Sequence, residues 1–139
     1  MPITDPVLTR VVDSWAMVAW IRDEAAAGAV EKFLDEAEAG GCKLAMNWIN
    51  VAETFYILAK RDGVTVAEAF MARLPSLPVR VVLPDEEGIM AAARIKAVHP
   101  IAFGDAFAIA LAQSENASVI TGDQEIRRCG VVAVDWVGL

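Results

Sequence analysis

Short runs of β-branched and other apolar residues alternate along this chain with longer segments of helical spacing. The runs lie at residues 11–12, 43–46, 79–83, 118–121 and 131–134. Strands that are separated by helices pair in parallel, and a parallel sheet is covered by helices on both faces. The alternation therefore predicts an α/β fold of three layers, α/β/α, around a central, mainly parallel twisted sheet of four to five strands.

The intervening segments have the periodicity of amphipathic helices. In residues 26–39, Val30, Phe33, Leu34 and Ala37 recur at helical spacing before a Gly-Gly pair. Further helices are predicted at residues 16–22, 50–60, 65–74, 85–99, 105–115 and 124–128, the one at 65–74 starting with a Thr-Val-Ala-Glu capping box. The β-branched run at 79–83 predicts a strand buried on both faces.

Length and composition favour a single domain over residues 1–139, because no repeat or linker divides the chain. No apolar run approaches the length of a membrane span, and the N-terminus lacks the pattern of a secretory signal. We therefore expect a soluble, cytoplasmic protein that does not bind membranes. Cys42 and Cys129 fit neither a metal motif nor a disulfide framework, so we expect reduced, buried thiols.

Four acidic residues occupy positions where a carboxylate is unusual. Asp13 and Asp123 follow two of the apolar strand runs, and open parallel sheets bind ligands at the carboxyl ends of their strands. Neighbouring strands would bring these two together. Asp105 heads an almost wholly apolar helix, and Glu53 interrupts the segment INVAETFYIL. Buried carboxylates are costly unless they are paired or bound to a metal.

A divalent cation would keep such a carboxylate cluster ionised. Oxygen ligands favour Mg²⁺, with Mn²⁺ as a substitute, and neither His99 nor the cysteines have a zinc spacing. Metal-activated water at such a site can hydrolyse a phosphodiester bond. Ser14 and Thr121 stand beside the strand-end acids, and Asn50 lies one helical turn before Glu53. We expect these three side chains to hold the carboxylates or metal-bound water.

The segments VVDSWA, NVAETFYIL, FGDAFAIALA and VITGDQEI, in this order, resemble the PIN domain, and most closely the VapC-like toxins of type II toxin–antitoxin pairs. The resemblance spans residues 11–134. It implies a magnesium- or manganese-dependent ribonuclease, commonly a homodimer, held inactive by a cognate antitoxin. The acids that match the family's catalytic, metal-binding positions are Asp13, Glu53, Asp105 and Asp123, and Ser14 and Thr121 match hydroxyl positions that often flank them. Two departures are a short N-terminal extension and a bulky Trp15, which could narrow the cleft.

Simpler interpretations exist for each acid. Asp13 could cap a helix, Asp105 could favour a helix dipole, Asp123 could belong to a turn, and Glu53 could lie on a solvated face. The four tryptophans could stack on bases but are expected more often in cores or interfaces. These alternatives weaken when the four acids are considered together.

The net charge of −7 argues against binding of nucleic acid by basic residues alone. Arg127 and Arg128 could contact RNA phosphate or form a solvated helix end, and Lys60-Arg61 is a weaker candidate. The sequence thus predicts an endoribonuclease that acts on RNA with metal-activated water, the toxin of a VapBC-type pair. The alternatives are a PIN nuclease of RNA processing without an antitoxin, and a non-catalytic α/β interaction module.

Overall fold

The computed structural model describes residues 7–139, and a five-stranded sheet lies at its centre. The strands are β1 (Thr9–Val12), β2 (Lys43–Asn47), β3 (Val79–Val82), β4 (Ser118–Thr121) and β5 (Val134–Trp136). Their order in the sheet is β3-β2-β1-β4-β5, and every neighbouring pair is parallel. The first strand of the sequence is therefore the central strand of the sheet.

Within residues 7–139, seven α-helices and one short 3-10 helix surround the sheet. They are α1 (Ser14–Ile21), α2 (Ala27–Glu38), α3 (Trp48–Asp62), α4 (Val64–Arg73) with the 3-10 turn Leu74–Ser76, α5 (Glu86–Val98), α6 (Phe103–Ser114) and α7 (Gln124–Cys129). Alternate residues of β1 point to opposite sides, so that Val12 packs with α1 to α4 and Val11 with α5 to α7. The predicted three-layer α/β/α arrangement is confirmed.

Three local predictions are wrong. The strand at 79–83 is not buried on both faces, because β3 is the edge strand and none of its residues is fully buried. The predicted capping box does not form, because α4 already begins at Val64, one residue before Thr65. Gly63, with φ of 98°, is the single residue between the end of α3 and the start of α4. The last strand begins at Val134 because α7 ends with Gly130 in the left-handed conformation and residues 131–133 connect the two.

Both cysteines are free thiols in the structure. Cys42 is buried, as expected, whereas Cys129 is only partly buried. Within residues 7–139 no single helix is both long and apolar enough to cross a membrane. Only α5 and α6 taken together, with a bend of 120° between them, meet that length and composition test.

Candidate functional site

The sheet places Asp13 and Asp123 at the same edge. β1 and β4 are parallel neighbours with Val12 opposite Ile120, Asp13 follows β1 directly, and Asp123 follows β4 by two residues. The Asp13 amide also donates to the Ile120 carbonyl at 3.4 Å. The carboxyl ends of the two strands therefore bring the first and last predicted acids together, as strand-end placement predicted.

Asp13 is almost completely buried, with 1% of its surface exposed. Its Oδ1 accepts a hydrogen bond from the Ala16 amide at 2.8 Å and so caps α1. Its Oδ2 is also buried and has no hydrogen-bond partner among the described residues. Burial raises the pKa of Asp13 to about 7, helped by the charges of Asp123 and Glu53 and opposed by the Thr121 hydroxyl and the Ala16 amide.

Asp105 lies in the first turn of α6 and is 7% exposed. Burial is the main cause that raises its pKa to about 8, followed by the negative charges of Asp123, Asp13, Glu53 and Glu125. All four predicted acids therefore share one electrostatic neighbourhood. Asp105 also lies at the helix N-terminus, where the helix dipole favours a negative charge, as predicted. Its structural role in α6 and its place in the carboxylate cluster are therefore compatible.

The closest carboxylate grouping includes a residue that sequence reasoning missed. Ligand oxygens of Asp105, Asp123 and Glu125 lie within 4.8 Å of one another, whereas Asp13 and Glu53 are outside this group. The Glu125 amide donates to Asp123 Oδ1 at 2.8 Å, so Asp123 caps α7 and holds Glu125 beside it. An acidic residue in the first helical turn after a strand-end Asp is the signal that could have identified Glu125.

Glu53 is held on α3 by polar side chains from two elements. The Ser14 hydroxyl, at the start of α1, donates a hydrogen bond to Glu53 Oε1. Asn50 Nδ2 lies 3.4 Å from the same oxygen and donates to the Gly104 carbonyl at 2.9 Å. Two of the three predicted supporting residues thus contact Glu53. The third, Thr121, accepts a hydrogen bond from the amide of Asp123 at 2.9 Å.

Glu53, Asp105, Asp123 and Glu125 line an open cleft of about 690 Å³, whereas the buried Asp13 is not among the residues that line it. Two indole rings line its walls: Trp15 packs on Gly122, and Trp136 packs on Gly138. Arg127 and Arg128 do not line the cleft, and the Arg127 guanidinium lies 4.0 Å from the ring centroid of Trp136. The only Lys or Arg side chain among the described residues that lines the cleft is Arg61.

The donor set fits a hard divalent cation. Every acidic side chain at the site offers carboxylate oxygen, the ligand preferred by Mg²⁺ and Mn²⁺. The buried Oδ2 of Asp13 makes no hydrogen bond within residues 7–139, and the Thr121 hydroxyl that lowers the pKa of Asp13 brings no positive charge to it. No salt bridge within residues 7–139 neutralises Asp13, Glu53, Asp105 or Asp123.

The PIN domain family profile matches residues 10–132. The chain belongs to the PIN domain family. A comparison of this PIN domain with curated proteins finds no match in sequence. The match to the family runs from the second residue of β1 to beyond α7, and therefore covers all four predicted acids and Glu125.

Solved structures share the fold of this PIN domain. The Mycobacterium tuberculosis toxin VapC20, described as cleaving the sarcin–ricin loop, has a TM-score of 0.74 at 19% identity over 87% of this chain and 95% of its own. DNA-bound VapBC from Salmonella typhimurium has a TM-score of 0.74 at 17% identity, covering 94% and 99% of the two chains. PAE2754 from Pyrobaculum aerophilum has a TM-score of 0.67 at 20% identity, and the match covers 91% of this chain and 87% of PAE2754.

Proposed function

We propose that this PIN domain is a metal-dependent endoribonuclease that hydrolyses RNA phosphodiester bonds with metal-activated water, and that it is the toxin of a VapBC-type toxin–antitoxin pair. The observation that carries the nuclease proposal is the buried Oδ2 of Asp13, which has no hydrogen-bond partner within residues 7–139. A carboxylate in this position is costly unless a cation accompanies it. The similarity to solved VapC and VapBC structures supports the assignment as a toxin.

The residues that would hold Mg²⁺, or Mn²⁺ in its place, are Asp13, Glu53, Asp105 and Asp123, with Glu125 as an addition from the geometry. Asp105 and Asp123 already have oxygens within 4.8 Å of each other. When bound, such a cation lowers the pKa of water and stabilises negative charge on phosphate oxygens. The raised pKa values of Asp13 and Asp105 mean that cation binding must displace protons near neutral pH.

The surrounding side chains orient this carboxylate set. Ser14 and Asn50 both contact Glu53, so its carboxylate is restrained from two directions. Thr121 fixes the turn at Asp123 by accepting the amide hydrogen bond of that residue. Positioning of this kind matters because misplacement of a reacting group by about 1 Å can lower a rate on the order of a hundredfold.

The proposed partners are RNA, a cognate antitoxin and a second copy of the chain. Solved relatives in the VapBC group contain toxin and antitoxin together, which supports the antitoxin. Light scattering of the purified chain over a dilution series tests the homodimer, and a mass of 14.9 kDa at all concentrations would contradict it.

The nuclease proposal is tested with purified protein, total RNA and either Mg²⁺ or Mn²⁺. We expect cleavage that EDTA abolishes and that both Asp13→Asn and Asp105→Asn remove. Asp85→Asn is the matched control, because Asp85 also caps a helix, accepting from the Gly88 amide at 2.8 Å, but does not line the cleft. Asp85→Asn should cleave like the wild type.

Two outcomes would contradict the proposal. Metal-dependent cleavage that survives both active-site substitutions would mean that the four acids are not the catalytic set. The absence of cleavage of any RNA with either metal would favour the non-catalytic interaction module. The toxin assignment is tested separately by expression in a bacterial host: we expect growth arrest that Asp105→Asn relieves, and unaffected growth would favour an RNA-processing nuclease.

A further inference from the structure

Three side chains on one face of α3 line the cleft at intervals of four residues. They are Glu53, Ile57 and Arg61. Residues four apart on a helix lie one above the other, so these three form a row along the helix. The row begins at the carboxylate cluster and ends at a cation.

Helix α1 forms the opposite wall along the same length. At one end the Ser14 hydroxyl donates to Glu53, and beyond the other end Arg22 Nε donates to Asp62 Oδ2 at 2.8 Å. These two contacts show that α1 and α3 run side by side in the same direction. Val18, between them on α1, also lines the cleft. The cleft is therefore a groove that extends from the acids along both helices.

Arg61 is a free cation in this groove. It forms no ion pair within residues 7–139, whereas Arg22 nearby is paired with both Glu24 and Asp62. The other charged side chains that line the groove are acidic. A guanidinium is suited to phosphate because its donors can bind two oxygens at once. Arg61 is thus available for an anion that enters from outside the chain.

The spacing along α3 separates Arg61 from the carboxylates. Arg61 is eight residues beyond Glu53 in α3, which corresponds to about 12 Å along the helix axis. Ile57 occupies the intermediate turn and, with Val18, offers an apolar surface there. At this spacing, Arg61 is suited to a different phosphate of a strand from the one next to the carboxylates.

We propose that Arg61 binds a phosphate of the RNA that flanks the cleaved one, so that the RNA strand lies in the groove between α1 and α3. This inference rests on the proposed ribonuclease function. Arg61 is then a substrate-binding residue that sets the position of the strand. This arrangement also explains how a chain with a net charge of −7 engages RNA, because the metal ions bound by the acids and the Arg61 side chain contact different phosphates.

Binding is measured in the Asp105→Asn background, which leaves RNA uncut, by the fluorescence anisotropy of a short labelled oligoribonucleotide in Mg²⁺ at several salt concentrations. Arg61→Gln should weaken binding about tenfold. It should also reduce the slope of log K against log salt by about 0.7, as expected for one lost contact to a single strand. Lys60→Gln is the matched control, because Lys60 is the adjacent exposed cation, lies 5.7 Å from the Tyr56 ring centroid and does not line the cleft.

A second measurement locates the contact. Single phosphates of the oligoribonucleotide are replaced in turn by uncharged methylphosphonates. We expect one replacement, at a phosphate other than the cleaved one, to weaken binding when Arg61 is present and to have no effect with Arg61→Gln. In the active enzyme Arg61→Gln should raise KM with kcat unchanged, and Arg61→Lys should restore part of the loss.

Equal behaviour of Arg61→Gln and Lys60→Gln in all these measurements would overturn the inference, as would a loss confined to kcat. Either result can occur while the wild type still cleaves RNA in a metal-dependent way. The absence of wild-type cleavage would instead overturn the proposed function, and the binding measurement would still show whether Arg61 contacts RNA.

Discussion

Gly104 faces the carboxylate of Glu53 so closely that a Cβ at position 104 would lie 2.5 Å from Glu53 Oε2 and 2.8 Å from its Cδ. Such distances are not tolerated between carbon and these atoms, so the carboxylate keeps its position only beside a glycine. The Gly104 carbonyl also accepts the hydrogen bond of Asn50 at 2.9 Å. The start of α6 and the middle of α3 are thereby fitted to each other around one acid.

Gly104→Ala should therefore displace the Glu53 carboxylate. We expect a loss of cleavage on the order of a hundredfold, as for other small displacements of reacting groups. The free energy of unfolding should fall by less than about 2 kcal/mol, because the half-buried Glu53 side chain can move. Cleavage kinetics and urea unfolding of the same sample measure the two effects.

Gly28→Ala is the matched control for that substitution. Gly28 lies in α2, and nothing would lie within 4 Å of its added Cβ. Alanine in a helix is favoured over glycine by roughly 0.5–1 kcal/mol, so this variant should be slightly more stable and fully active. Equal activity losses in the two variants would contradict the role given to Gly104.

Asparagine and alanine at position 13 separate helix capping from metal binding. Asp13 caps α1 through Oδ1, and Asn caps as well as Asp, so Asp13→Asn should keep or raise the stability of the metal-free protein. Asp13→Ala loses the cap and should cost about 1 kcal/mol. Both should abolish cleavage. A fully active Asp13→Asn, measured beside its unfolding curve, would reduce Asp13 to a structural cap.

The pKa values of Asp13 and Asp105 predict how stability depends on pH without metal. Their folded-state values, about 7 and about 8, exceed the usual carboxyl value, so the folded state holds protons that the unfolded state has released. The contribution of these two carboxyl groups to the free energy of unfolding is fully present below about pH 4, and it is lost as pH rises through about 7 to 8. The melting temperature in EDTA should therefore fall across this window.

Asp105→Asn provides the control for the pH effect, because it removes one of the two titrating groups. The melting temperature of this variant in EDTA should therefore fall less steeply with pH. Added Mg²⁺ should raise the melting temperature more at about pH 8 than at about pH 6, since the cation competes with protons for the same oxygens. A melting temperature that rises with pH in EDTA over this range would contradict the burial of these carboxyl groups.

Periodicity was sufficient to predict the parts of the fold that depend on local pattern. The ends of β1 and β4 follow from apolar runs that stop at Asp13 and Gly122, and this placement brought Asp13 and Asp123 together. The position of a strand within the sheet has no such local signal. β3 has the composition of a central strand but lies at the edge, where its residues are only partly covered.

The parts of the site that could not be predicted depend on the direction in which side chains leave their helices. Arg127 follows Asp123 closely in sequence, yet its guanidinium lies over Trp136. Among the acids of the cleft, only Glu53 is near Arg61 in sequence, and Arg61 reaches the cleft because it lies two helical turns from Glu53 on the same face. Glu125 could have been suspected from its place just after Asp123, but its proximity to Asp105 is set by the fold.

Trp15 and Gly122 should be coupled in stability, because a Cβ at position 122 would overlap the Trp15 ring. Trp15 is 37% exposed and forms one wall of the cleft, so its ring must shift when the glycine gains a methyl group. We expect Gly122→Ala to lower the free energy of unfolding by about 1–3 kcal/mol, the usual cost of overpacking. Urea unfolding of the single variants and the double variant measures this coupling.

In the Trp15→Ala background the same glycine substitution should cost much less, since the ring that it would strike is gone. The effects of the two substitutions on the free energy of unfolding should then deviate from additivity by about 0.5–3 kcal/mol, the range for residues in contact. Strict additivity would mean that the ring does not rest on Gly122, and hence that Trp15 does not form this wall. A ring held in place should also restrict access to the acids, so Trp15→Ala should lower KM for structured RNA relative to the wild type.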